Sequence, residues 1–365
     1  MDAAAKALPP GGLVRLEAAG GEAIGIAMFN PHPLISARVL SRDPGAVIDK
    51  NFFKAKLDAA VSLRERLYSG GYYRLVHAEA DGLPGTIIDR YGDVIVVQAN
   101  TAGMDRLTPV LLEAFDEVLA PRVVVLRNDS AARQLEGLEC TARVAKGALS
   151  EPVELVETGA RFFADLAGGQ KTGWFYDQRD NRARVAQLAA GARVLDLYAY
   201  AGGFAVAAAR AGASEVIAID RSEAALDLAS RAADANEVGG RCRFVRAEVF
   251  AELERLVGEG TRFDVVIADP PAFVKSKKDL AQGARGYRKL ARLAASVVAT
   301  RGILFIASCS YHVDVPLFAE QVRRGLSDAR RGARILVTTG AAADHPVHPH
   351  LPESAYLKGQ LLQLD

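Results

Sequence analysis

Acidic and thiol side chains accompany four apolar runs in the C-terminal half of the chain, where they could share one site. Two of the runs contain the candidate acid: 193–197 contains Asp196 and 216–220 ends with Asp220. The other two are followed by the candidate residue: 264–268 by Asp269 and 302–307 by Cys309. Each apolar run predicts a buried strand. Because ligands of open α/β sheets bind outside the carboxyl ends of the strands, these residues predict a nucleotide-type cofactor site with a thiol at its reacting centre.

The turn after the first of these strands favours a nucleoside ligand over a dinucleotide. Its sequence, YAYAGG at 198–203, lacks the full GxGxxG pattern, but its glycines let the backbone approach a ligand at a helix N-terminus. Asp220 follows Asp196 by 24 positions, close to the spacing at which an acid meets ribose hydroxyls. Glu248 is predicted at the end of a further strand at 241–250, where it either accepts from an adenine amino group or is a solvated acid.

Cys309 is the candidate nucleophile, whereas Cys140 and Cys242 are interpreted as small buried apolar residues. Carbon 5 of a pyrimidine is too poor a nucleophile to take a methyl group directly. Addition of a thiolate at carbon 6 turns the ring into an enamine, whose carbon 5 can attack a sulfonium methyl group. Loss of the carbon 5 proton then expels the thiol. This chemistry predicts a covalent adduct on Cys309.

Asp269 begins the sequence Asp-Pro-Pro-Ala-Phe directly after the strand predicted at 264–268. The two prolines make a rigid, extended exit from the strand and remove two backbone donors. We therefore expect Asp269 to hold the edge of the base. Phe273 offers a flat apolar face on which a base could stack.

A basic segment at 275–292 follows this loop and contains seven Lys or Arg residues against one acid. Such a segment predicts contacts with nucleic-acid phosphates, and the alternative is a solvated helix face. The candidate phosphate contacts are Lys275, Lys277, Lys278, Arg285 and Arg288.

Composition limits the remaining possibilities. The 365 residues predict two or three domains, and 45 Lys and Arg against 44 Asp and Glu leave no global basic field. Three cysteines without paired spacing favour a reducing compartment. The absence of a signal pattern or a long apolar run predicts a cytoplasmic protein that does not enter a membrane. His345, His348 and His350 lack the spacing of metal ligands, so no metal is expected.

Changes of hydrophobic pattern along the chain predict an α/β fold with four parts. Residues 1–48 read as a small β module with strands at 13–16, 23–29 and 36–40, and residues 49–70 as a connecting helix. Residues 71–166 form a central α+β domain. Residues 167–365 alternate strand and helix, which is typical of a doubly wound, Rossmann-like sheet.

The chain resembles the bacterial large-subunit ribosomal RNA 5-methylcytosine methyltransferases over nearly its whole length. The stretches that carry the resemblance are HAEADGLPGTIIDRYGD at 77–93, GQKTGWFYDQRDNR at 169–182, LDLYAYAGGF at 195–204, DPPAFVKSK at 269–277, RGYRKL at 285–290, SCS at 308–310, ADHP at 343–346 and YLKG at 356–359. The resemblance implies a class I S-adenosylmethionine-dependent enzyme with an N-terminal PUA module, a central domain and a Rossmann-like catalytic domain. It also implies large-subunit ribosomal RNA as the partner, and a homodimer stays open.

The resemblance also implies roles for individual residues. Cys309 would be the nucleophile and Asp269 the acid that holds the base. The expected cofactor contacts are Asp196, Tyr198, Gly202, Asp220, Arg221 and Glu248, with Gln178 and Arg179 near the amino-acid end. This sequence departs from the family in two places: the family usually carries Asp where Glu248 stands, and we expect the PUA module to lack its opening strands and His-Pro-Trp segment.

Three other functions remain open from the sequence alone. A base N-methyltransferase on the same fold would use the Asp-Pro-Pro-Ala-Phe loop to bind an exocyclic amine, and Cys309 would be structural. A ribosome assembly factor would bind RNA and keep only a vestigial cofactor pocket. A small-molecule methyltransferase would leave the basic segment without a role.

Overall fold

The computed structural model describes residues 7–149 and 152–365. Their contacts divide the chain into two compact units. Unit 1 contains the residues up to Leu155 together with Asp165–Tyr176 and Ala343–His350, and unit 2 contains Val156–Ala164, Asp177–Ala342 and Leu351–Asp365. Both units are therefore assembled from separate stretches of chain. The four domains expected from the sequence stay a prediction.

Unit 1 begins with an antiparallel sheet of β1 (Gly12–Glu17), β2 (Ala23–Phe29) and β3 (Ala37–Ser41). These strands confirm the three predicted in the small β module. Helix α1 (Lys50–Leu67) follows, as predicted, and the carboxylate of Asp49 caps it by accepting from the Phe52 N–H at 3.0 Å. An N-terminal cap of this kind satisfies a backbone donor that the helix itself cannot.

The second sheet of unit 1 has the strand order β4-β5-β6-β7-β8. Its elements are β4 (Tyr72–His77), β5 (Thr86–Tyr91), β6 (Val94–Ala99), α2 (Ala102–Val118), β7 (Val123–Asn128), the one-turn helix α3 (Ala132–Leu135) and β8 (Thr141–Lys146). β5 and β6 form an antiparallel hairpin in which Tyr91 lies opposite Val94. A core of apolar side chains from α1, α2 and the sheet stabilises the unit.

A buried polar network fixes the segment Ala343–His350 within unit 1. Arg64 is fully buried, and its guanidinium donates to both carboxylate oxygens of Asp81 at 2.5 and 2.7 Å and to the backbone carbonyl of Asp344 at 3.0 Å. The carboxylate of Asp344 accepts from the Arg74 N–H at 3.0 Å and lies 2.7 Å from His345 Nδ1. The segment Ala343–His350 thus supplies hydrogen-bond partners for Arg64 and Arg74, which lie much earlier in the chain.

A two-stranded sheet pairs β9 (Val153–Glu157) with β10 (Ala160–Ala164). Unit 2 then contains a mixed seven-stranded sheet with the order β13-β12-β11-β14-β15-β17-β16. Its strands are β11 (Arg193–Leu197), β12 (Glu215–Asp220), β13 (Cys242–Arg246), β14 (Phe263–Ala268), β15 (Val298–Ser308), β16 (Ala333–Thr339) and β17 (Lys358–Leu364). Its helices are α4 (Arg179–Ala186), α5 (Gly203–Arg210), α6 (Glu223–Ala235), α7 (Val249–Gly258), α8 (Leu280–Val297) and α9 (Val315–Asp328).

The register of the central strands brings their carboxyl ends to one edge of the sheet. β11, β14 and β15 are parallel, with Leu197 opposite Ala268 and Ala268 opposite Ile306. The strand interiors are almost fully buried, as expected for parallel strands that are covered on both faces. The sequence-based fold class, α/β with a Rossmann-like sheet, is confirmed.

Candidate active site

Asp269 and Cys309 lie beyond the carboxyl ends of two neighbouring parallel strands, β14 and β15. Asp269 is partly exposed between the buried Ala268 and Pro270, and Cys309 is partly exposed between Ser308 and Ser310, which are fully buried. The Cys309 Sγ lies 3.8 Å from the Pro270 carbonyl oxygen. The structure therefore brings the candidate nucleophile and the Asp-Pro-Pro loop together, with both residues partly accessible from the surface. The prediction that Cys140 and Cys242 are buried was wrong, because Cys140 is exposed and Cys242 is partly exposed.

Ser310 joins the two loops through hydrogen bonds. Its Oγ accepts from the Val274 N–H at 3.1 Å and lies 2.8 Å from the hydroxyl of Tyr287 on α8. All three residues are buried. Because buried hydrogen bonds fix geometry and are costly to break, Ser310 and Tyr287 hold the segment around Cys309 against the loop that carries Asp269.

Two glycines of α8 permit the close approach of the Asp-Pro-Pro-Ala-Phe loop. A Cβ atom at Gly283 would lie 2.4 Å from Val274 Cγ2 and 2.6 Å from the Phe273 carbonyl oxygen. A Cβ atom at Gly286 would lie 3.0 Å from the ring of Phe273. The loop could not sit this close to a helix with larger residues at these two positions.

Phe273 packs into an aromatic cluster. Its ring centroid lies 4.8 Å from that of Tyr287, 6.0 Å from that of Phe250 and 6.4 Å from that of Tyr198. Phe273 is partly exposed. Its position is thus fixed by packing, and its predicted stacking on a base stays a prediction.

The turn after β11 adopts an unusual backbone. Tyr198, Tyr200 and Gly202 have φ angles of 63°, 48° and 76°, in the left-handed region. A Cβ atom at position 202 would lie 2.7 Å from the Cβ of Ala229, so Gly202 is needed both for its φ angle and for close packing. The sequence identified the turn, but two tyrosines with positive φ were not predictable from their residue type.

Acidic side chains brace this turn. Asp220 accepts from the Tyr200 N–H at 3.0 Å through Oδ2 and from the Ser222 N–H at 2.8 Å through Oδ1. Asp196 is buried and accepts from the Ala205 N–H at 2.9 Å. Burial raises the pKa of Asp196 well above its usual range, and the charges of Asp269 and Asp220 raise it further. These acids are therefore electrostatically coupled across the strand ends.

Tyr198 and Glu248 lie beside this group of acids. The Tyr198 hydroxyl is buried and has no hydrogen-bond partner among the described residues, and burial followed by the charge of Glu248 raises its pKa. Glu248 differs from its predicted position, because β13 ends at Arg246. Its carboxylate instead caps α7 by accepting from the Ala251 N–H at 3.1 Å.

The remaining predicted cofactor contacts lie at two other places. Gln178 and Arg179 are buried at the start of α4, where the Gln178 side-chain oxygen accepts from the Asn181 amide at 2.6 Å and Arg179 pairs with Glu157 at 3.5 Å. Arg182 forms two shorter bonds with the same carboxylate, at 2.6 and 2.7 Å. Arg221 follows Asp220 directly and is exposed.

Of the five candidate phosphate contacts in the basic segment, four are exposed and one forms an ion pair with an acid. Lys275, Lys277, Lys278 and Arg285 are exposed, and they form no ion pair with any described residue. Arg288 instead donates two hydrogen bonds to Asp328, at 2.6 and 2.8 Å. The first four are therefore better placed than Arg288 to meet phosphates.

Lys358 was not among the residues that the sequence singled out for chemistry. It is buried at the start of β17, and its Nζ donates to the carbonyl oxygens of Ser310 and Tyr356 at 2.6 and 2.9 Å. The available signal in the sequence was a lysine that begins an otherwise uncharged strand. The sequence did not show that Lys358 lies near Cys309. That position results from the antiparallel pairing of β17 with β15, which places Lys358 opposite Ser308.

Residues 7–149 and 152–365 contain neither a metal-binding cluster nor a candidate membrane-spanning helix. No group of three or more His, Cys, Asp or Glu side chains there could hold a metal ion. No helix in these ranges combines the length and the apolar character needed to span a bilayer.

Comparisons with known proteins identify the family. A family model described as S-adenosylmethionine-dependent methyltransferase matches residues 128–342, and a model of a PUA-like domain matches residues 1–42. Ribosomal RNA large subunit methyltransferase I of Aliivibrio fischeri (strain MJ11) is 38% identical, with 96% of this chain and 89% of that protein aligned. The protein of the same name from Photobacterium profundum is 39% identical, with 93% and 87% aligned.

Solved structures share the fold. A protein assigned as a methyltransferase and crystallised with SAH aligns over 97% of this chain and 92% of its own, with a TM-score of 0.84 and 21% identity. A structure from Streptococcus mutans aligns over the same shares, with a TM-score of 0.83 and 22% identity. The chain belongs to the ribosomal RNA large subunit methyltransferase I family of S-adenosylmethionine-dependent methyltransferases, and S-adenosylmethionine is its cofactor.

Proposed function

We propose that this protein methylates carbon 5 of a cytosine in large-subunit ribosomal RNA through a covalent adduct on Cys309. The observation that carries the proposal is the pairing of Cys309 with the Asp269 loop at adjacent strand ends, both partly exposed between buried neighbours. The names of the relatives support ribosomal RNA as the substrate.

The proposed reaction uses Cys309 and Asp269 in distinct steps. The Cys309 thiolate forms a bond to carbon 6 of the cytosine, and the ring electrons move to carbon 5, which attacks the methyl group. S-adenosylmethionine supplies that methyl group from its sulfonium. Loss of the carbon 5 proton to a base restores the ring double bond as the bond between carbon 6 and sulfur breaks. Asp269 holds the base edge throughout, on a loop that two prolines keep rigid.

The residues around the turn after β11 fit the cofactor. The Tyr198 hydroxyl is a buried donor that bonds none of residues 7–149 and 152–365. Each oxygen of Asp220 accepts one backbone bond and so retains acceptor capacity. We propose that Asp220 binds the ribose and that Tyr198, Arg221 and Glu248 line the site. Asp196 and Gly202 would shape the turn behind it. Gln178 and Arg179 would approach the amino-acid end.

We further propose that Lys275, Lys277, Lys278, Arg285 and, less directly, Arg288 contact RNA phosphates, with Phe273 near the base. Cytoplasmic location, a homodimer and the four-part domain division at residues 48, 70 and 166 stay predictions from the sequence.

The test of the proposed function is to identify the product. Large-subunit ribosomal RNA would be incubated with the protein and labelled S-adenosylmethionine, digested to nucleosides and analysed by mass spectrometry. We expect the label in 5-methylcytidine. Label in a base-N-methylated nucleoside would contradict the proposal and support the amine alternative, in which Cys309 is structural.

Neutralising the exposed part of the basic segment should weaken RNA binding and flatten its salt dependence. Each phosphate contact releases condensed counterion, so the triple variant Lys275→Ala, Lys277→Ala, Lys278→Ala should lose about 0.7 from the slope of log K against log salt for each contact removed. Binding assays over a series of salt concentrations would measure this slope.

A control with the same change in net charge is available in unit 1. Lys50, Lys54 and Lys146 all pair with acids there, and their triple Ala variant should keep the wild-type slope. Equal slopes in the two triple variants would show that the segment at 275–278 is only a solvated surface.

A further inference from the structure

Lys358 is a buried cation at the start of β17. Its exposed fraction is 3%, and its ammonium group donates to two backbone carbonyls, those of Ser310 and Tyr356. No acid among the described residues forms an ion pair with it. Burying a charge without a counterion is costly, so such a residue requires an explanation beyond packing.

The position of Lys358 places its charge at the segment that carries Cys309. Lys358 lies opposite Ser308 in the β15 and β17 pairing, and its ammonium group donates to the carbonyl of Ser310, so it is next to the residues on both sides of the thiol. Burial lowers the pKa of Lys358 to about 8, while Cys309 and Asp314 act in the opposite direction. The ammonium group and the thiol therefore influence each other electrostatically.

Other titratable groups of the described residues lie near Cys309 in sequence or on neighbouring elements. Tyr287 on α8 is buried, and its pKa is raised mainly by burial. Asp269 after β14 and Asp314 at the start of α9 are acids, and an acid opposes formation of a thiolate. His312, three residues after Cys309, is partly exposed. Lys358 is the buried cation of this neighbourhood.

We propose that Lys358 is a positioning residue that supplies the counterion for the Cys309 thiolate and holds its loop in place. When Cys309 loses its proton to solvent, the sulfur takes the negative charge and Lys358 keeps its own protons. A cation beside a cysteine favours the thiolate, which is the nucleophilic form. This inference rests on the proposed role of Cys309 as nucleophile, but it concerns a property of the thiol that can be measured without RNA.

The test is the pH profile of alkylation of Cys309. In a background with Cys140→Ser and Cys242→Ser, Cys309 is the only remaining thiol, and its reaction with iodoacetamide can be followed by mass spectrometry of the intact protein. In Lys358→Met, the midpoint of the profile should move up by about one pH unit or more, the shift typical of a lost neighbouring charge. Lys358→Arg should stay closer to the wild-type midpoint.

The control is Lys289→Met, which removes an exposed lysine of the same unit and should leave the midpoint unchanged. Near-ultraviolet circular dichroism and SAH binding would report whether each variant is folded. If Lys358→Met does not fold, the wild-type profile decides, because a midpoint at or above about 8.5, the value of a free thiol, would overturn the proposal. An unchanged midpoint in folded Lys358→Met would also overturn it.

These outcomes are separate from those of the proposed function. Methylation by Cys309→Ala would overturn the covalent reaction whatever the alkylation profile shows. If Cys309→Ala is inactive but the alkylation profile of Cys309 in Lys358→Met is unshifted, only the role of Lys358 is overturned.

Discussion

Cys309→Ala is expected to reduce methylation by at least roughly a thousandfold while leaving S-adenosylmethionine binding intact. The physical reason is that carbon 5 becomes nucleophilic only after the thiolate has added to carbon 6, and the neighbouring serines are far weaker nucleophiles than a thiolate. Ser308 and Ser310 are, moreover, fully buried, so neither could take the place of Cys309. Single-turnover methylation assays, with calorimetry for the cofactor, would measure the two effects separately.

Covalent trapping gives the same prediction a second readout. RNA with 5-fluorocytosine at the target should remain attached to the wild-type protein, because fluorine cannot leave as a cation and the adduct cannot collapse. The adduct should be absent in Cys309→Ala. Cys140→Ala and Cys242→Ala are matched controls that should stay active and be trapped. Robust methylation by Cys309→Ala would instead indicate transfer to an exocyclic amine.

Asp220→Ala should weaken cofactor binding by about 1–3 kcal/mol, roughly 5- to 150-fold in Kd. Asp220 is the last residue of β12. Each oxygen of its carboxylate accepts one hydrogen bond from a backbone N–H, so acceptor capacity remains for the ribose hydroxyls. Hydrogen bonds to a charged group are stronger than those between neutral groups, which sets the size of the loss. Calorimetric titration with SAH would measure it.

The same carboxylate also braces the turn, so the control must separate binding from folding. Glu223→Ala removes an exposed carboxylate that pairs with Arg246 close to the turn, and it should bind SAH as the wild type does. Thermal unfolding of both variants would show whether loss of the hydrogen bonds that brace the turn has destabilised the protein. A wild-type Kd in folded Asp220→Ala would remove Asp220 from the site.

The parts of the site that lie on parallel strands could be predicted from the sequence. Apolar runs identify β11, β12, β14 and β15, and parallel strands end at one edge, so Asp220, Asp269 and Cys309 had to be neighbours of one ligand region. Glu248 was less predictable. Helix caps and strand ends use the same polar residues, and the capping bond to Ala251 became apparent only in the structure.

The contributions of Lys358 and Ser310 could not be predicted for a different reason. Lys358 reaches the Cys309 segment because β17 inserts antiparallel between β15 and β16, a register set by long-range pairing rather than by local pattern. Ser310 matters through Val274 and Tyr287, which are 36 and 23 residues away in sequence. Local spacing carries no information about such contacts.

The interleaving of the two units has a consequence for synthesis on the ribosome. Domains of many proteins fold one after another as the chain emerges, N-terminal first. Here the guanidinium of Arg64 and the N–H of Arg74 bond Asp344, which is translated 280 and 270 residues later, respectively. Unit 1 therefore cannot complete its polar interior until Asp344 has been made, and a chain truncated before residue 343 would contain neither unit intact.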